Sequence, residues 1–332
     1  MIRTILFFIV IFSLGVAGAE QPLKDGFYEE KGVDGSVKVI NYKFGLPNGR
    51  FRVLYPDGRL KSWGEYLDGK IQGVAQGYYP SGVLEVKSFY RAGQLHGIQT
   101  MYWPNGKVKS TIPYFNGVAK GVSSEFDEAG NPTIERTWKD GKLEGITKEY
   151  FPQSAVVTRE LIFKDDKQDG VIRLYYPSGK VKGVYEAKDG VYQGLGKEFY
   201  LTGEKLREGM MVNGAWQGEV VQFYEDGNIL SRIQYHEGLI DDPQWREFFP
   251  TGEVYKTAAI IKGKRQGESC EYDRMKRLRV KANYVDDIPQ GVIYFYGDDG
   301  DIIAEDEYKD GQLVIHRELS KGKKRTEKFF YH

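Results

Sequence analysis

Residues Gly73 to Gly97 read G-V-A-Q-G-Y-Y-P-S-G-V-L-E-V-K-S-F-Y-R-A-G-Q-L-H-G, and Gly97 to Gly121 read G-I-Q-T-M-Y-W-P-N-G-K-V-K-S-T-I-P-Y-F-N-G-V-A-K-G. Both stretches put a glycine at the end of a Pro-containing turn (Gly82, Gly106), a tyrosine eight places later (Tyr90, Tyr114) and a second glycine three places further on (Gly93, Gly117). A unit repeated along a chain outranks other signals, because each copy buries its apolar surface only against its neighbours.

The pattern extends in both directions. The turn glycine returns at Gly58, Gly130, Gly179, Gly203, Gly227, Gly252 and Gly300, and Ala155 and Lys276 hold that slot in two degenerate copies. The large apolar residue returns as Tyr66, Trp138, Phe163, Met211, Tyr235, Ile260, Tyr284 and Tyr308, with Ala187 in one copy. The second glycine is replaced by Asp166 and Asp287, and Asp is one of the few side chains that tolerate positive φ. A shorter first copy uses Gly35, Tyr42 and Gly45. The copies number about twelve, of ~24 residues each, by the repeat reasoning above.

Each copy reads as a β-hairpin. Tyr-Pro-Ser-Gly and Trp-Pro-Asn-Gly are turn sequences, and Asp-Gly or Asn-Gly is a tight hairpin signal. The runs between are rich in Tyr, Val, Ile and Phe and have strand length. Gly or Pro recurs too often for a helix of ordinary length. The predicted fold is all-β: tandem hairpins in one elongated, twisted antiparallel sheet. Alternation puts Leu84 with Tyr90 and Val108 with Tyr114 on one face, beside small residues such as Ser88 and Ser110. Lys61, Glu65, Glu85, Lys87 and Lys109 go to the other face, which reads as charged and wet.

Residues 1–19 differ from the rest. Arg3, the apolar run from Ile5 to Val16 and the small Ala17-Gly18-Ala19 form the pattern of a secretory signal peptide. The apolar core is short for a membrane span. The expectation is export to the periplasm or beyond, with a mature chain beginning at Glu20; an intact mass that retains residues 1–19 contradicts it. The array then covers 20–315. The remainder, 316–332, is a basic and aromatic tail expected to cap the last edge with charge.

Composition limits the chemistry. Lys plus Arg and Asp plus Glu are balanced at 47 each, so the whole chain has no net field directed at nucleic acid. Cys270 is the only cysteine, which excludes an intrachain disulfide and fits a small buried apolar role. The histidines are His96, His236, His316 and His332, and neither their spacing nor any CxxC suggests a metal site. Asp298-Asp299-Gly300-Asp301 lacks the spacing and terminal Glu of a calcium loop and falls in a turn slot. No nucleophile elbow or phosphate loop is present. The expected cofactor is none, and the expected activity is not enzymatic.

The recurring Tyr-Tyr-Pro-Ser-Gly, Tyr-x-x-Gly and Gly-x-x-x-Gly pattern resembles the bacterial variant of the MORN repeat, over about residues 26–315. The resemblance implies tandem hairpins and a scaffold that binds partners. Members are commonly labelled antitoxin-like or of unknown function; an antitoxin-like role is an alternative carried by that label alone and conflicts with the leader, and the departure from the usual dense motif argues against carrying lipid binding over. Two readings stay open: a scaffold binding a protein or envelope component, and a polysaccharide binder using aromatic platforms. The aromatic ladder Tyr66, Tyr90, Tyr114, Trp138, Phe163, Tyr235 and Tyr308 is either binding surface or core seam, and cross-strand aromatic contacts favour the seam.

Overall fold

The computed structural model describes residues 25–320 and 323–330; the candidate signal peptide lies outside them. Among the described residues there are 33 strands and no helix. Seven strands are two-residue pieces such as Gln94–Leu95, set beside the second glycine of a copy. Setting those aside leaves two strands for each of twelve copies, plus Gly26–Lys31 before them and Lys323–Phe329 after. Part of the basic tail therefore continues the pairing as a strand, and Gln312–Ser320 runs through residue 316.

The chain divides into two units, residues 25–157 with 163–166 and residues 158–162 with 167–330, so the division falls within the strand Val157–Lys164. In the first unit, Leu84–Arg91 pairs back with Lys70–Tyr78 through Ala75↔Ser88 and forward with Gly97–Tyr102 through Lys87↔Thr100. In the second, Ile229–His236 pairs with Ala215–Phe223 and with Asp242–Phe248. Every pairing is antiparallel between neighbours in sequence. Among the described residues Gly26–Lys31 pairs only with Val37–Lys43, and Lys323–Phe329 only with Gln312–Ser320, so each unit carries a free edge.

The turn chemistry accounts for this regularity. At each tight turn two successive residues have positive φ, such as Asp68 (48°) with Gly69 (79°) and Asn116 (49°) with Gly117 (83°). That is the type I′ geometry whose twist matches paired strands. Asp166 (66°) and Asp287 (69°) adopt it in the two copies without glycine. At the longer turn the terminal N–H bonds back three residues, as in Gly82 N to Tyr79 O at 2.8 Å. One assignment needs correction. In the copy given to Ala155, Ser154 N makes this bond to Phe151 O, and Gln153 takes the left-handed conformation, so an extra residue is accommodated before Val156.

Each unit buries one row of side chains, roughly one per strand. In the first unit the row includes Ile40, Phe51, Ala75, Ser88, Ser123 and Thr147; in the second, Leu161, Ile172, Tyr185, Val220, Ile233, Ala258 and Ala282. Small residues suit this place, because larger neighbours on the same face close over them. Gly64 shows the limit: a Cβ there would sit 2.7 Å from Phe51 Cε1.

Candidate binding surfaces

Residues directly opposite in an antiparallel register share a face. By that rule Tyr66, Tyr90, Tyr114 and Trp138 lie on the face of the buried row and directly oppose Gly49, Gly73, Gly97 and Gly121. Tyr235 and Tyr308 oppose Gly218 and Gly291 in the second unit. Rings thus alternate with residues lacking a side chain, which gives each ring room. In one copy Asp242 replaces the glycine, and its buried carboxylate accepts bonds from Gln234 N (3.1 Å) and Gln244 N (2.9 Å).

All seven ladder residues, Phe163 included, are half-buried. Burial pushes the phenols of Tyr66, Tyr90, Tyr114, Tyr235 and Tyr308 upward. Trp138 Nε1 donates to Ser123 Oγ at 2.7 Å.

A second ring ladder stands at the longer turns. Tyr55 and Tyr79 donate their hydroxyls to Tyr78 O (2.6 Å) and Tyr102 O (2.8 Å), and Trp103 Nε1 donates to Phe126 O (3.1 Å). In the second unit Tyr176, Tyr200 and Tyr224 repeat this onto Phe199 O, Phe223 O and Phe248 O. Each bond ties one copy to the next through the main chain. The signal in the sequence is the aromatic three places before Gly58, Gly82, Gly106, Gly179, Gly203 and Gly227; Gly130 and Gly300 have Asp127 and Gly297 there instead.

The opposite face is not uniformly charged, contrary to the sequence-based expectation. Phe89, Ile98 and Val122 are 39%, 55% and 54% exposed. Val74 opposes Phe89, Pro113 opposes Ile98, and Val122 opposes Thr137. The register Lys87↔Thr100 brings Ile98 beside Phe89. An apolar row therefore crosses this face of the first unit. Parity along a single strand locates Phe89 with Lys87, but the row emerges only once the registers align successive strands.

Charged clusters in the second unit are ion pairs. Arg207 clamps Glu198 with Nε and Nη2 contacts of 2.8 Å each, and Tyr185 OH donates to Glu198 at 2.7 Å. Burial alone would raise the Glu198 carboxyl, but the Arg207 and Tyr185 bonds bring it below its ordinary 4.5. A carboxyl lowered by folding contributes stability that is present above its unfolded value and lost as pH falls through the folded one. Urea melts are expected to show less acid sensitivity below about pH 4.5 in Glu198→Gln than in the parent; an unchanged profile contradicts this.

Other candidates have structural partners. Arg277 Nη2 reaches Asp298 at 3.0 Å, Arg279 also bonds it, and that carboxyl is held low by the Arg279 bond. Cys270 is buried, and desolvation pushes its thiol up, which disfavours the thiolate. His96 contacts Asn116 at 3.2 Å and His316 contacts Asp306 at 2.5 Å, while His332 lies outside the described residues. Among the described residues no three His, Cys, Asp or Glu side chains converge to hold a metal ion, and no helix is long and apolar enough to cross a membrane.

Comparison with known proteins gives one family. Residues 71–92, 95–116, 168–189 and 216–237 match the MORN repeat variant. No curated protein sequence matches the chain. Among solved structures, a TcdB2–TccC3 crystal structure is 12% identical over 87% of this chain and 18% of that one, with a TM-score of 0.15. The Photorhabdus luminescens Tc holotoxin pore is 11% identical over 89% of this chain and 17% of that one, with a TM-score of 0.13. The chain thus spans under a fifth of the length of each, and these likenesses carry no argument.

Proposed function

We propose that this MORN-repeat variant protein is an exported, non-catalytic scaffold that binds another protein or an envelope component along its sheet surface. The observation that carries the reading is the exposed apolar row of the first unit, Phe89, Ile98 and Val122. Contiguous exposed apolar surface on a soluble protein marks an interaction site more often than a neutral one. A regular sheet face offers such a row without a deep pocket, as repeat arrays do. Export rests on the pattern of residues 1–19.

A second reading, polysaccharide binding, draws on the turn ladder. Tyr55, Tyr79 and Trp103 recur every second long strand, about 10 Å apart at the strand spacing, which suits stacking of successive sugars. Photo-crosslinking residues at exposed positions of both faces, run beside a panel of soluble envelope glycans, separate the two. Protein adducts without glycan binding support the scaffold. Saturable glycan binding without protein adducts overturns it.

A further inference from the structure

We propose that the apolar row on the lysine-bearing face of the first unit is the docking site for an acidic amphipathic helix of a partner protein. This rests on the scaffold reading and adds the partner's chemistry and location.

The chain is neutral overall, but its charge is uneven. Between Lys70 and Ser124 there are six Lys or Arg residues and one acid, Glu85. The cations that matter lie on one face. Lys87, Phe89 and Arg91 alternate along one strand, so the two cations stand about 13 Å apart with Phe89 midway. On the next hairpin Lys109 and Lys120 bracket the row likewise, with Lys109 Nζ 4.4 Å from the Trp103 ring centroid and Lys120 Nζ 5.9 Å from that of Phe115. Among the described residues none of these four forms an ion pair with a carboxylate. Lys61, by contrast, is paired with Asp34 at 2.8 Å.

Geometry then selects the occupant. Val74, Phe89, Ile98, Pro113 and Val122 lie on five successive long strands, so the row is about 19 Å long. A helix covers that length in about 13 residues and is about 10–12 Å wide with its side chains. Laid across the strands, its apolar stripe at i, i+3, i+4 and i+7 meets the row, and carboxylates on its flanks meet cations on both sides. Polyanions without apolar groups use the charges but leave Phe89 and Ile98 uncovered.

The probe is a fluorescein-labelled peptide of Leu and Phe at i, i+3, i+4 and i+7 with Glu or Asp elsewhere, titrated against the whole mature protein by anisotropy. Saturable binding that weakens with salt is expected. Lys87→Glu with Arg91→Glu, and separately Phe89→Ser with Ile98→Ser, should each raise Kd at least tenfold. Lys262→Glu on the second unit should leave it unchanged. Thermal melts confirm that each variant is folded. Four results overturn the proposal: no binding of the acidic peptide, equal binding of its lysine-swapped version, equal binding of poly-glutamate or of anionic phosphatidylserine vesicles, or unchanged Kd in the variants. A crosslinker at position 89 separates this proposal from the broader one. Protein adducts elsewhere on the chain but none from position 89 sink the docking site and leave the scaffold standing.

Discussion

Ile172→Ala is expected to lower unfolding stability by about 3 kcal/mol, the usual cost of a large-to-small change at a fully buried aliphatic position. Ile172 is 0% exposed, directly opposes Tyr185 in the register and lies in the buried row with Leu161. Among the described residues of this unit, rings and aliphatics on the same face cover the row. A truncation therefore leaves a cavity that neighbouring strands cannot close without shifting register. Leu195 serves as the comparison at 41% exposed; its replacement by Ala should cost less than about 1 kcal/mol. Urea melts of the two variants check this, and hydrogen exchange should show the loss first in amides near residue 172. Similar losses in both variants would mean that the buried row is not what holds the sheet.

The other large effect separates the faces at two adjacent residues. Tyr90→Ala should destabilise by about 2 kcal/mol, below the range for a fully buried ring because Tyr90 is only half-buried. Phe89→Ser should cost no more than about 1 kcal/mol, since that ring is 39% exposed on the opposite face. The contrast bears on function. If Tyr90 carries stability and Phe89 does not, Phe89 is available to a partner and the tyrosine ladder is a seam. Equal losses by chemical melt would show that both faces are structural, and the search for a binding surface would move to the turn ladder.

The repeat itself supplied much of this protein's structure. Spacing and turn residues determined the twelve hairpins, because Asn-Gly and Asp-Gly admit the two left-handed residues that a tight turn requires. Alternation determined that Tyr90 and Tyr114 share a face with Ser88 and Ser110. Tertiary structure decided what lies across strands. Registers between hairpins depend on bulges beside the longer turns, as at Val108/Ser110, and those within a hairpin on irregularities such as Trp63/Glu65, which reading along one strand cannot count. Those registers set glycine opposite tyrosine, aligned Val74, Phe89, Ile98, Pro113 and Val122 into one row, and tied Tyr79 to a carbonyl 23 residues away. The physical reason is that a strand's own pattern fixes which face a side chain takes. Its neighbours on that face come from other strands, through hydrogen bonds between main chains that carry no side-chain signature.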